Sequence, residues 1–217
     1  METKIQKLIR NNFKSQLNGS MNNIVRHIKD IKIDRMPETE VIELSMDTGK
    51  VVFIDTNLGV HAKTRHALLT AKKKYYYHGG QTRETITFSL PEYNDNTRIN
   101  LASVIAICDE LDRGFCKQCY CGFETNHKDL TGNVNRFGYS NNRIYNLEIT
   151  NKYDNEIHRF VIEKLNKIYD RRFSVSAENY DLINVVRYCS DDEIRQYLDS
   201  LAIAGHVKNI KGIAVID

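Results

Sequence analysis

Polar side chains that could carry out chemistry concentrate in the stretch from Glu124 to His158. Its polar positions are Asn126, His127, the run NNRIYNLE at 141–148, Asn155 and His158. A neutral His can take a proton from water near pH 7. Amide and carboxylate oxygens bind hard divalent cations, which neutralise charge on a phosphate during its hydrolysis. Together these residue types suit metal-assisted cleavage of a phosphodiester bond.

The order and spacing of these positions resemble the HNH nuclease family, and most closely its phage homing endonucleases. The family pattern has a His preceded by Asp, Asn or His, then an N-N-R-x-x-N-L-E run, then Asn or His in the following helix. This chain has Asn126-His127, the run at 141–148, and Asn155 nine residues beyond Asn146. It departs from the pattern in the loop 128–140, which is longer than usual. An outward bulge would tolerate that insertion, because loop length costs little entropy.

The resemblance implies a role for each matching residue. His127 would be the general base, and Asn126 and Asn155 would offer side-chain oxygens to Mg²⁺ or Mn²⁺. Asn146 would complete the catalytic constellation by hydrogen-bonding the loop, so that His127 is held in place. His158, on the same helical face as Asn155, is a candidate second ligand or phosphate contact, but it could equally be a solvated surface group. Asn-rich loops are also commonly plain turns.

Two kinds of element must position these residues. Alternating residue types over 143–149 predict a short strand with Ile144, Leu147 and Ile149 facing inward. Apolar residues at helical spacing predict a helix from about Asn155 to Arg171. Its inward face would consist of Ile157, Phe160, Val161, Leu165, Ile168 and Tyr169. The resemblance implies that these elements belong to a ββα-metal nuclease core at 101–160, within an α+β chain.

The rest of the chain is predicted to flank that core in three segments. Residues 1–35 form an N-terminal helical segment, with helices over 3–17 and around 24–31. Residues 36–100 form a β-rich segment with a hairpin whose strands flank the turn 47–50. Residues 161–217 resemble a winged helix, with a helix opened by a Ser190–Glu193 capping box and a terminal hairpin at 207–216. We expect removal of residues from about 174 onward to weaken DNA binding or alter target choice, while some metal-dependent cutting survives.

Basic residues in several segments are candidates for DNA contact, because Lys and Arg neutralise backbone phosphates. They are Lys72, Lys73, Lys74, Arg113, Lys117, Lys128, Arg143, Lys208 and Lys211. The run at 72–74 precedes aromatic residues, a combination typical of nucleic-acid binding but equally of a charged strand edge. The acidic start of the helix at Asp191 repels phosphates, so the C-terminal module could instead bind protein or be purely structural.

Composition limits the class of protein. The chain has 217 residues, a net charge of +3 and no Trp, and its hydrophobic share of 41% is near the globular norm. We see neither an apolar run long enough to span a bilayer nor a signal-peptide pattern. We therefore expect a cytoplasmic protein that does not bind membranes, with a monomer favoured.

The five cysteines leave two readings open. An odd number in a chain without a signal-peptide pattern argues against a disulfide framework. Cys116, Cys119 and Cys121 could bind Zn²⁺ if Cys108 or a His supplied a fourth ligand. Reduced thiols packed beneath the loop are the alternative.

The sequence thus predicts a metal-dependent DNA endonuclease of HNH type, encoded by a phage or mobile element. A rival prediction is a DNA-binding or regulatory protein that keeps the HNH scaffold without cutting. A third is a zinc-stabilised interaction module built on the cysteines at 116–121.

Overall fold

The computed structural model describes residues 2–12, 25–36, 40–56, 61–63, 70–76, 82–88, 99–114, 123–129, 141–170, 172–201 and 213–216. They form an α+β chain, as predicted. The chain divides into two compact units. Unit 1 comprises residues 1–125 and 133–149, and unit 2 comprises residues 126–132 and 150–217.

Unit 1 opens with a helix and a four-stranded sheet. The elements are α1 (Lys4–Asn12), β1 (Ile28–Asp34), β2 (Val41–Met46), β3 (Val51–Asp55) and β4 (His61–Lys63). The sheet order is β1-β2-β3-β4, and every neighbouring pair is antiparallel. The predicted hairpin is confirmed as β2 and β3, with Gly49 at a positive φ of 82° in the turn between them. Glycine adopts that conformation without steric cost.

The predicted helix around 24–31 is wrong, because β1 occupies the second half of that range, from Ile28. Ile28 and Ile31 are both buried at a spacing of three, which imitates a helical face. The ladder between β1 and β2 shifts register between Ile28 and Asp30. Such an irregularity breaks the two-residue alternation of a strand, so that residues three apart can face the same side. The predicted helix over 3–17 is confirmed as far as α1 extends, and residues 13–24 lie outside the described ranges.

A second sheet and a buried helix complete most of unit 1. Strands β5 (Thr70–Tyr76), β6 (Thr82–Phe88) and β7 (Ile99–Asn100) pair antiparallel in that order. Helix α2 (Leu101–Asp112) begins directly after Asn100. The apolar residues on its inner face are buried, namely Leu101, Val104, Ile105, Cys108 and Leu111. They share one hydrophobic cluster with residues of α1 and the first sheet.

The polar stretch lies on two paired strands and a turn. Strands β8 (Phe123–His127) and β9 (Leu147–Asn151) form a two-stranded sheet. A 3-10 turn at Ile144–Asn146 precedes β9. The strand predicted from residue 143 therefore begins only at Leu147, because the backbone N–H of Asn146 donates to the carbonyl of Arg143 and closes the turn. Ile144, Leu147 and Ile149 are buried, as predicted.

Unit 2 consists mainly of helices with a small sheet. Its further elements are α3 (Lys152–Tyr169), β10 (Arg172–Val175), α4 (Tyr180–Tyr188), α5 (Asp191–Leu201) and β11 (Ile213–Ile216). Strand β10 pairs antiparallel with β11. The partner strand expected for β11 within the hairpin at 207–216 lies outside the described residues. The capping box is confirmed, since Ser190 N–H donates to Glu193 Oε2 at 2.7 Å and Glu193 N–H donates to Ser190 Oγ at 3.4 Å.

Helix α3 differs from its predicted form in two respects. It begins three residues before Asn155, because the side chain of Asn151 caps it by accepting from Asp154 N–H at 2.8 Å. Phe160, predicted to face inward, is 52% exposed, and Ile162 is buried instead. The predicted segment boundary at 160/161 falls within this continuous helix. Its buried residues share one hydrophobic cluster with α4 and α5.

Within the residues described, no helix combines the length and apolar character needed to cross a membrane.

Candidate active site

The first site segment lies at the end of β8, in unit 2. Asn126 is buried and His127 is partly exposed. The strand stops at His127, and the chain continues through Lys128 to Asp129, which is 2% exposed. The carbonyl of Lys128 accepts a hydrogen bond from the backbone N–H of Val175 on β10, at 3.2 Å. This bond anchors the backbone next to His127.

The second site segment lies on α3, in the same unit. Asn155 is partly buried near the N-terminal end of the helix, one turn before His158. His158 is fully buried, and its Nε2 lies 2.6 Å from the carbonyl oxygen of Val175. Because a carbonyl can only accept, Nε2 must carry the proton. The expectation that His158 is a solvated surface group is therefore wrong.

Val175 brings the two segments together. Its N–H donates to Lys128 and its carbonyl accepts from His158, so a single residue of β10 is bonded to both. No pattern of residues predicts this link, because Val175 is an apolar strand residue that acts through its backbone. A strand that supplies both a donor and an acceptor in this way fixes the helix against the end of β8.

Some of the polar side chains in unit 2 carry atoms that suit a hard cation. A hard cation prefers oxygen ligands, and Asn126 and Asn155 carry amide oxygens. His158 has its Nε2 committed to Val175, so only Nδ1 could serve as a ligand. Asp129, a buried carboxylate two residues beyond His127, is a further possible ligand that was not among the predicted site residues. Its proximity in sequence to the Asn-His pair was the signal that could have identified it. The described ranges contain no group of three or more His, Cys, Asp or Glu side chains placed to hold a metal ion.

Asn146 lies in unit 1, where it holds the turn that carries the NNR run. It is 1% exposed, and its Nδ2 donates to the carbonyl of Asn141 at 2.9 Å. The backbone N–H of Arg143 in turn donates to Asn141 Oδ1 at 3.1 Å. These bonds are of the kind that a loop-holding role requires. The contact of Asn146 is with the end of the loop, at Asn141.

A buried carboxylate supports the same turn from the interior of unit 1. Glu40 is 5% exposed, and its Oε1 accepts from the backbone N–H of Ile144 at 2.8 Å. The same oxygen accepts from the hydroxyl of Thr56. No pattern of residues predicts the role of Glu40, because it lies 104 residues from Ile144. Buried carboxylates are retained only where hydrogen bonds satisfy them.

The outer side of the turn presents Arg143 and Tyr145. The Arg143 guanidinium lies 5.5 Å from the centroid of the Tyr145 ring. The Tyr145 hydroxyl accepts from Asn141 Nδ2 at 2.9 Å. Tyr145 is 54% exposed, whereas Ile144 and Asn146 on either side of it are buried.

The other basic residues predicted to contact DNA lie in different parts of the chain. Arg113 is held by Asp109, with Nε to Oδ1 at 3.1 Å and Nη2 to Oδ2 at 3.0 Å. Arg35 also bonds Asp109, at 2.9 Å. Burial raises the pKa of Asp109, and the two arginines oppose that rise. The remaining candidates are Lys72, Lys73 and Lys74 on β5, Lys128 after β8, and Lys117, Lys208 and Lys211, which lie outside the described residues.

The predicted zinc ligands Cys116, Cys119 and Cys121 also lie outside the described residues. Cys108, the candidate fourth ligand, is completely buried in α2. Burial raises the pKa of its thiol, helped by the negative charges of Asp109 and Asp112.

The chain matches no protein-family model, no curated protein and no solved structure. The resemblance to HNH nucleases therefore rests on the residues of the polar stretch and their spacing.

Proposed function

We propose that this protein is a metal-dependent DNA endonuclease of HNH type. One observation carries the proposal: the order of elements around the polar residues. The paired strands β8 and β9 are followed directly by α3. Asn126 and His127 end the first strand, and Asn155 lies near the start of the helix. This is the ββα order that the family resemblance implies for these residues.

His127 suits the role of general base. It is partly exposed at the end of β8, and the bond between Lys128 and Val175 holds the backbone beside it. A general base needs hydrogen-bonding reach to the proton that it removes and a neutral form near the working pH. Asn126, the preceding residue, is buried.

The proposed cation is Mg²⁺ or Mn²⁺. Asn126 and Asn155 would hold it through their amide oxygens, with Asp129 as an additional carboxylate. The bound ion would supply charge stabilisation for the phosphate and the leaving oxygen. His158 is a positioning residue in this proposal. Its Nε2–H donates to Val175, which fixes the tautomer and orientation of the ring, as partners of metal-site histidines commonly do.

DNA is the proposed substrate because basic residues occur in both units. Arg143 lies on the NNR turn, Lys72–Lys74 lie on β5, and Lys128 follows His127 directly. Phosphate contacts of this kind position a protein on DNA without reading its sequence. Arg113 is a weaker candidate for DNA contact, because two nitrogen atoms of its guanidinium already bond the carboxylate of Asp109.

The test is cleavage of supercoiled plasmid with Mg²⁺ or Mn²⁺, followed on an agarose gel. The wild type should convert the plasmid to nicked or linear form. His127→Ala should reduce the rate by a factor on the order of 10² to 10⁴, the usual cost of losing a general base. DNA binding by the variant should stay near that of the wild type, because the basic residues are untouched.

A matched control is His27→Gln in unit 1. His27 is also a partly exposed histidine, and its Nδ1 bonds Asp47 at 2.7 Å. This variant should cut plasmid like the wild type. Cleavage by His127→Ala at a near wild-type rate would show that the HNH assignment is wrong.

The second candidate function is a DNA-binding protein that keeps this scaffold without cutting. The bond of His158 to the Val175 carbonyl favours it, because that bond also suits a purely structural histidine. A wild type that binds plasmid tightly, yet never cuts it with either cation, would establish this alternative. The zinc-stabilised module remains a prediction from the sequence.

A further inference from the structure

We propose that Tyr145, together with Arg143, is a stacking contact for an unpaired base of DNA. The inference rests on the proposed function for its substrate class and adds a residue to which the HNH resemblance gave no role. It concerns the turn 141–146 of unit 1. Within that turn only Tyr145 is exposed, and the remaining residues are buried or partly buried.

The first argument is that the turn is held from several directions. Glu40 accepts from the Ile144 N–H, and Asn146 bonds the Asn141 carbonyl. The Asn146 N–H donates to the carbonyl of Arg143, which closes the turn. The backbone on both sides of Tyr145 is thus fixed, so little conformational entropy remains to be lost when a ligand binds there.

The second argument is that the side chain of Tyr145 is fixed as well. Its hydroxyl accepts from Asn141 Nδ2 at 2.9 Å, which sets the direction of the ring. A scattered exposed aromatic residue on a protein surface needs no explanation by itself. Here Tyr145 is 54% exposed although the backbone N–H groups on either side of it and its own hydroxyl are hydrogen-bonded. The fold therefore presents this ring to solvent in one orientation.

The third argument comes from the cation beside the ring. The Arg143 guanidinium lies 5.5 Å from the ring centroid, so a positive charge adjoins an exposed aromatic surface. Proteins that bind single-stranded nucleic acid combine these two features, since an aromatic face stacks on a base and nearby cations attract the phosphates. In an intact duplex the faces of a base are covered by its neighbours. The fitting ligand is therefore a single strand or a locally unstacked base.

The absence of Trp from the chain makes a direct test possible. Tyr145→Trp introduces a single tryptophan whose emission is quenched when a base stacks on it. Tyr188→Trp is the matched control, because Tyr188 is 74% exposed and the Arg187 guanidinium lies 5.0 Å from its ring centroid. Each variant is titrated with a mixed-sequence single-stranded oligodeoxynucleotide in EDTA, so that no strand is cut. We expect quenching for Tyr145→Trp and none for Tyr188→Trp.

Affinity supplies the second measurement, by fluorescence anisotropy of a labelled oligodeoxynucleotide. Tyr145→Ala should weaken single-strand binding about tenfold, within the range for loss of one base-stacking contact. Tyr145→Phe keeps the ring and should stay within about twofold of the wild type. Tyr188→Ala should leave affinity unchanged. A loss of affinity in Tyr145→Phe equal to that in Tyr145→Ala would show that only the hydroxyl matters, and would overturn the stacking proposal.

The outcomes separate this inference from the endonuclease proposal. If the wild type cuts plasmid but Tyr145→Trp shows no quenching at saturating oligodeoxynucleotide, the stacking proposal falls and the endonuclease remains. If quenching occurs but no metal supports cutting, the stacking contact stands and the endonuclease falls. A wild type that binds neither single-stranded nor duplex DNA would overturn both.

Discussion

At the scale of single residues, the two histidines of the polar stretch differ in burial and in hydrogen bonding. His127 is partly exposed at the end of β8, whereas His158 is fully buried with its Nε2 on the Val175 carbonyl. The motif spacing predicted His127 as the general base, but it left open whether His158 is a ligand or a solvated surface group. In our proposal, the partly exposed His127 is therefore the general base. The buried and hydrogen-bonded His158 is a positioning residue.

Replacement of His158 should therefore affect stability as well as activity. His158→Leu keeps a side chain of fair size but leaves the buried Val175 carbonyl without this donor. Loss of one partner of a buried hydrogen bond costs about 1–3 kcal/mol. We expect a lower midpoint of urea unfolding for His158→Leu and an unchanged midpoint for His127→Ala. Equal midpoints for both variants would contradict the structural part of this assignment.

Asn155 should respond to the concentration of the cation. Asn155→Ala removes a proposed oxygen ligand and leaves His127 in place, so its cleavage defect should shrink as Mg²⁺ or Mn²⁺ is raised. Asn155→Asp keeps an oxygen at the position and should need less metal than Asn155→Ala. The measurement is the plasmid cleavage rate as a function of metal concentration. A defect of Asn155→Ala that is the same at every concentration would remove Asn155 from the ligand set.

At the scale of elements, side chains of unit 2 form hydrogen bonds with backbone groups at the ends of its helices. Asn151 caps the start of α3, and the Nη2 of Arg195 on α5 donates to the Ile168 carbonyl near the end of α3, at 2.7 Å. Lys164 on α3 donates to the carbonyls of Val186 and Cys189 at the end of α4, at 3.0 and 3.2 Å. Helix ends leave backbone groups without partners, so these contacts stabilise each helix and bind it to its neighbour.

The cap of α3 offers a test of how the helix start affects the site. Asn151→Ala should destabilise the protein by about 1 kcal/mol, the usual cost of losing an N-cap. Asn151→Ser retains a capping oxygen and should be close to the wild type. Urea unfolding followed by circular dichroism measures both. We also expect slower plasmid cleavage by Asn151→Ala than by Asn151→Ser, because Asn155 lies on the next turn. Identical stability of the two variants would show that the cap contributes little.

At the scale of the whole molecule, the two units divide the polar stretch. Residues 126–132 and 150–217 belong to unit 2, whereas the NNR run belongs to unit 1. The hydrophobic cluster of unit 2 joins Val161, Ile162 and Leu165 of α3 with residues of β10, α4 and α5. The C-terminal residues therefore form part of the folded structure that carries Asn155 and His158.

Truncation after residue 173 tests that dependence. The sequence alone predicts that cutting survives, because the polar positions end at His158. The structure predicts loss of cutting, because removal of residues 174–217 exposes the buried face of α3 and deletes Val175. Circular dichroism and plasmid cleavage of the truncated chain measure the two effects. A truncated protein with native helix content and wild-type cleavage would support the separable module.

Local signals in the sequence determined several elements of this protein. The turn at 47–50 and the Ser190–Glu193 box each depend on residues within a few positions of one another. Their hydrogen bonds and backbone preferences are encoded by neighbours, so the order of the residues suffices. The spacing of Asn126-His127, the NNR run and Asn155 likewise belongs to the sequence.

Only the tertiary structure decided where distant residues meet. The burial of both Ile28 and Ile31 in β1 depends on an irregular pairing with β2, and without that pairing their spacing indicates a helix. Glu40 supports Ile144 across 104 residues, and Val175 joins Lys128 to His158 through its backbone. A backbone donor or acceptor is the same at almost every position, so the sequence does not mark which one will be used. Packing of the apolar residues brings the strands together, and that arrangement selects these partners.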